Sequence, residues 1–171
     1  MHRSLLSPTF DNCGVIVMDN LGSPYVFELS SRGYICTPYA QRILRSTSNH
    51  IALISIERNI SPQEEISFRQ QSYTYAQDHV KERRPLHELK DLMLSTITIL
   101  CDKSNITNPL AQAPFSPSVQ CVLDLMGHCG IPFRSVDTTT TRSTCDDFIT
   151  YRLVPTNPRY RVNGDIVVRG L

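Results

Sequence analysis

The chain has 171 residues, 40% hydrophobic and 19% charged, with a formal net charge of +1. That length fits one domain able to bury its own core, and the near-neutral balance excludes a general electrostatic case for nucleic acid or an anionic membrane. No apolar run approaches the roughly 18–20 residues of a membrane span. None of the six cysteines belongs to a C-x-x-C pair or a zinc-ligand spacing, so no metal site and no cofactor is expected.

The N-terminal "MHRSLLSP" is basic but too short for a secretory signal. Residues 1–10 are expected to be a flexible N-terminus, with a very short organelle presequence as the alternative. "CGVIVM" (Cys13–Met18) is a continuous apolar run rich in β-branched residues and reads as a buried strand. The turn cluster "DNLGSP" leads to strands at Tyr25–Leu29 and Tyr34–Thr37. Pro38 opens a short helical stretch, "PYAQRILRS", and His50–Glu57 is a fourth strand. The pattern predicts a meander of antiparallel strands with one helical excursion.

Ser61–Pro62–Gln63–Glu64 has the form of a capping box. The helix it starts is expected to reach about Arg83, with Ile66, Tyr73, Ala76 and Val80 on its apolar face and Pro85 stopping it. "KERR" (Lys81–Arg84) reads as its exposed end. Leu86–Asp102 forms a second amphipathic helix and Lys103–Pro114 a loop. "FSPSVQCVLDLMGHCGI" (Phe115–Ile131) is a helix with Ser116 as N-cap, Pro117 first, and Gly127 or Gly130 closing it. "TTTTRSTCDD" is expected to be a polar surface loop, with strands at Phe148–Val154 and Gly164–Leu171 after it. Residues 1–171 thus form one α+β domain, a small antiparallel sheet or half-barrel packed against helices.

Three segments together resemble the permuted papain-like (NlpC/P60-related) amidases. "NCGVIVMDNLGSPYVFELSSRGYICTPY" is similar to that family's catalytic-His strand and following acidic strand, and "SVQCVLDLMGHCGI" to its catalytic-Cys helix. The order of His strand, acidic strand and Cys helix is the permuted order. "VNGDIVVRGL" resembles the strand that usually precedes the His strand, yet here it comes last. The resemblance therefore implies a further circular permutation that closes the sheet with the terminal strand, unless that strand joins the sheet for unrelated reasons.

Carried over residue by residue, the resemblance puts Asn12 at the position of the catalytic His, Glu28 at that of the polar orienter and Ser118 at that of the catalytic Cys. Only Glu28 survives in kind. A carboxamide is not a usable base, and a serine without a base is not a useful nucleophile. The site is expected to be degenerate, with no catalytic residue. Cys121, one turn after Ser118, is the only thiol placed to replace it, but it falls among Val119, Val122, Leu123, Leu125 and Met126 and reads as core. Cys13 should point to the sheet face opposite Asn12. His128 reads as a C-terminal cap, while His50, His79 and His87 have no visible partner.

The expected function is that of a pseudoenzyme: a structural or interaction subunit binding protein partners in a larger intracellular assembly, with no nucleic acid and no membrane span. A cytoplasmic or cytoskeletal setting, including a ciliary one, ranks ahead of a mitochondrial one. The alternative is an active cysteine amidase, peptidase or acyltransferase with a relocated Cys–His dyad.

Overall fold

A computed structural model describes residues 12–30, 33–48, 50–81, 116–136 and 145–169. The expected helix at Leu86–Asp102, the loop after it, Pro85 and the N-terminal segment lie outside the described residues. Strands β1 (Gly14–Met18), β2 (Pro24–Ser30) and β3 (Gly33–Pro38) are followed by the short helix α1 (Tyr39–Leu44) and strand β4 (His50–Arg58). Helices α2 (Pro62–Lys81) and α3 (Pro117–His128) come next. Strand β5 (Phe133–Ser135), helix α4 (Asp146–Ile149), and strands β6 (Leu153–Pro155) and β7 (Tyr160–Arg169) complete the order. The architecture is α+β, with small antiparallel sheets and helices and no closed barrel among the described residues.

Strands β1, β2 and β3 form the meander, in register Gly14↔Glu28 and Phe27↔Cys36. The alternation of strand side chains sends Val15, Val17 and Phe27 into the core, where they are at most 7% exposed. Helices α2 and α3 cover that face. From α3 come Val119, Cys121, Val122, Leu125 and Met126, all buried. The apolar stripe expected on this helix is the stripe it buries, except that Leu123 is only half-buried.

Helix α2 begins as its sequence dictates. The Ser61 N–H donates to Glu64 Oε2 (2.7 Å), and the Glu64 N–H donates to Ser61 Oγ (3.3 Å), both halves of a capping box. Its buried face keeps only part of the expected one. Ala76 is buried and Tyr73 half-buried as expected, but Ile66 and Val80 are exposed, and Ser72 is buried with Phe68, Tyr75 and His79 partly so. Large rings decide this orientation, because they remove more area from water than the aliphatic alternatives. Tyr75 meets Phe27 edge-on at 6.1 Å, and His79 stacks on Tyr75 at 3.8 Å.

Helix α3 ends at Gly130, whose φ of 76° is the left-handed conformation that glycine adopts freely. The Ile131 N–H reaches Met126 O (2.8 Å) and the Gly130 N–H reaches Gly127 O (3.0 Å), which is the Schellman pattern. Ile131 is then fully buried. At the other end Ser116 occupies the N-cap position before Pro117, but its hydroxyl makes no capping hydrogen bond.

The C-terminal third departs most from expectation. Phe148–Val154 is not one strand. Asp146 and Asp147 start the short helix α4, where acidic residues are favoured by the helix dipole. Tyr151 then takes a positive φ of 57°, and the Thr150 and Arg152 N–H groups return to Asp146 O and Asp147 O. Cys145 and Asp147 are buried rather than part of a surface loop. The terminal strand β7 pairs with β4, with a register shift at Ile54/Ser55, and not with the β1–β3 meander. Among the described residues no helix is long and apolar enough to cross a membrane.

Candidate functional site

Asn12 lies two residues before the start of β1 and shares a sheet face with Gly14. Glu28 lies directly across from Gly14 on β2. Glycine is needed there because a Cβ would stand 2.7 Å from Phe27 O and 2.9 Å from Glu28 Cβ. The space it leaves lets the Glu28 side chain lie against β1, where the residue is only 4% exposed. The Asn12 carboxamide donates through Nδ2 to Glu28 Oε2 at 2.8 Å.

Arg42, on α1, completes this arrangement. Its guanidinium grips Glu28 with two bonds, Nε to Oε1 and Nη2 to Oε2, the latter 3.0 Å. Two parallel N–H donors on a carboxylate are the strongest geometry available to this ion pair. Glu28 therefore has three charged or amide donors and is satisfied without any histidine. Sequence reading missed Arg42. The signal was a lone carboxylate inside the apolar run "YVFEL", which needs a cation once the strand is buried.

Ser118 makes a different contact. It stands in the first turn of α3, and its Oγ is 3.4 Å from Cys145 Sγ, just before α4. Cys13, on the sheet face opposite Asn12, is near enough to Cys145 and Ser118 for both to perturb its thiol. Asn12 and Glu28 are thus brought together, while Ser118 contacts Cys145. No hydrogen bond joins Ser118 to Asn12 or Glu28 among the described residues. The separation follows from the period-2 alternation of β1, since helix α3 packs on the Cys13 face. Cys145 was missed because its neighbours are polar.

The thiols here are poor nucleophiles. Cys13 is pushed well above the ordinary cysteine range, first by its hydrogen bond with Cys145, then by burial and by the Cys145 charge. Ser118 opposes the shift, and Cys121 adds a smaller push upward. Cys121 is 2% exposed in the core face of α3. Cys129, at the helix C-terminus, is pushed up to about 11 by burial, with Arg58 pulling it slightly down. A catalytic thiol requires the opposite shift.

Two histidines have described side chains, and both are used in packing. His79 donates through Nδ1 to Tyr75 O (2.9 Å) and meets Tyr34 edge-on at 5.7 Å, besides stacking on Tyr75. The His128 ring lies 4.8 Å from that of Tyr75. This cluster sits at the C-terminal end of α3, about 15 Å along the helix from Ser118 at 1.5 Å per residue.

A cavity of about 350 Å³ opens beside the site. Asn12, Glu28 and Arg42 form a polar edge, with Cys13 and Cys145 also exposed to it, and Leu53, Ile54, Val122, Met126 and Phe148 supply apolar wall. Among the described residues no group of three or more His, Cys, Asp or Glu side chains could hold a metal ion. Compared with known proteins, the chain matches no family model, no curated protein and no solved structure.

Proposed function

We propose that the chain is a non-catalytic, circularly permuted papain-like domain that serves as a structural or interaction subunit of a larger intracellular assembly. The observation that carries this reading is the Asn12–Glu28–Arg42 arrangement. Where the reaction would need a histidine held by a polar orienter, an amide and an arginine saturate the carboxylate instead. The order of elements supports the scaffold: a strand after Asn12, a strand bearing Glu28, and later a helix opening at Ser118 that packs on both strands.

The active-enzyme alternative needs a thiolate beside a histidine. The upward shifts of Cys13 and Cys129 and the aromatic packing of His79 and His128 weigh against it. A subunit role is tested by the native mass of the endogenous protein. Size-exclusion of native extract should find the chain in a stoichiometric complex with other proteins. Elution as a lone monomer would contradict the reading.

A further inference from the structure

Strand β1 is paired on one edge only. Its register runs to β2, and among the described residues no strand pairs with its other side. That open edge faces the cavity. Residues 12–16 line the cavity in unbroken succession, although strand side chains alternate between faces. Only an edge presents successive residues to one space. We propose that the cleft binds an extended apolar segment of a partner protein, which adds as a strand to the free edge of β1. This deepens the proposed interaction role: it rests on the chain binding a protein, not on its papain-like ancestry.

The chemistry of an edge selects a peptide. An edge strand carries a row of N–H and C=O groups, which inside a cavity are satisfied by another backbone or by water. An alkyl chain filling the same space would leave them unbonded, at about 1–3 kcal/mol for each group. The side chains the segment needs follow from the walls on either side of the edge. On the face that buries Val15, α3 contributes Val122 and Met126. On the other face lie Ile16 and Val26, directly opposite each other in the sheet, with Ile43 of α1 also on the wall. Both faces are apolar, so the segment carries apolar side chains at successive positions rather than at alternate ones.

Charge gives the same answer. The cations lining the cavity are Arg42 and Arg58, and each already holds a carboxylate: Glu28 for Arg42, and Glu65 at 3.1 Å for Arg58. Arg58 also lies over the Phe68 ring, 4.4 Å from its centroid. Glu28, the carboxylate on the wall, is saturated by Arg42 and Asn12. A charged segment would therefore enter the cleft without a counter-ion, so the segment is neutral. Strand β4 presents its own open edge to the same cavity. Residues 51–54 line it in succession, and among the described residues β4 pairs only with β7.

The test pans the folded, full-length chain against a random-peptide display library and synthesises the most enriched sequence. The expected peptide is neutral and rich in β-branched residues. Its binding should slow backbone hydrogen exchange across Gly14–Met18. N-methylation of its backbone should weaken binding about tenfold for each edge hydrogen bond lost. Ile16→Lys, at a side chain already 45% exposed, should abolish binding in a folded chain, while Leu21→Lys, 91% exposed between β1 and β2, should leave it intact. Enrichment of no peptide would overturn the proposal, as would a peptide that protects a region away from β1 or tolerates N-methylation. Dimerisation through β1 in the absence of peptide would overturn it too, because the occupant would then be a second copy. A chain that elutes in a native complex yet binds no peptide loses strand addition and keeps the subunit role.

Discussion

Replacing Arg42 with methionine keeps much of the side chain's apolar stem and removes its charge. Glu28 is 4% exposed, so its carboxylate would be left in the protein with Asn12 as its remaining side-chain donor. Breaking a buried pair by removing one partner costs about 3–5 kcal/mol. The Arg42 side chain is 33% exposed, so water reaches part of the pair and the lower end applies, about 2–3 kcal/mol after that screening. The double variant Glu28→Gln/Arg42→Met removes both charges and leaves an amide able to accept from Asn12. It should lie within about 1 kcal/mol of wild type. Urea unfolding of the four proteins at neutral pH gives the cycle directly, provided the slope is unchanged. An Arg42→Met cost below about 0.5 kcal/mol would place the pair among ordinary surface bridges and refute the view that Glu28 is held by this clamp. Simple additivity in the cycle would refute it equally.

Two further predictions concern the helix ends. Gly130→Ala should cost about 1 kcal/mol, because a Cβ there meets nothing but the φ of 76° is unfavourable; Gly130→Asn should cost less, and equal melting temperatures for all three proteins would contradict the C-cap assignment. Glu64 is lowered to about 2, first by the Ser61 backbone N–H, then by the Ser61 hydroxyl and by Arg159. A depressed carboxyl contributes stability above its unfolded value of 4.5 and loses it as pH falls through about 2. The melting-temperature gap between wild type and Glu64→Gln should therefore narrow across that window, and a gap that is constant or widens on acidification would contradict the capping box.

Local rules wrote much of this fold visibly into the sequence. Ser61 and Glu64 announce their reciprocal bonds by spacing alone, and Gly130–Ile131 announces the end of α3. Alternation in "CGVIVM" is enough to place Cys13 and Asn12 on opposite faces. What stayed hidden depends on distant partners. Strand β7 pairs with β4 across about a hundred residues, and no local signal chooses β4 over the meander. "FITYRLV" has strong strand propensity, yet its start is helical because Asp146–Asp147 and the Tyr151 turn fit the surrounding packing.

The candidate site divides in the same way. Glu28 was legible as the polar residue the resemblance implies, and the amide at Asn12 as incapable of base chemistry. Arg42 and Cys145 were not legible, since a charged residue in a short helix and a thiol among polar residues carry no address. The assignment of Ser118 to one site with Asn12 and Glu28 came from family order rather than from strand geometry. In the structure the Ser118 hydroxyl contacts Cys145.

The central claim is that none of the described cysteines is an activated nucleophile. Its most direct test is iodoacetamide labelling of the native protein, resolved by peptide mass spectrometry across pH. Labelling at Cys13 and Cys129 should be slow near neutrality and rise only in the alkaline range, and labelling of the buried Cys121 should be slow and speed up on denaturation. Fast labelling of Cys121 or any other described thiol, saturating at or below neutral pH and abolished by denaturation, would contradict the account and restore the active-enzyme alternative.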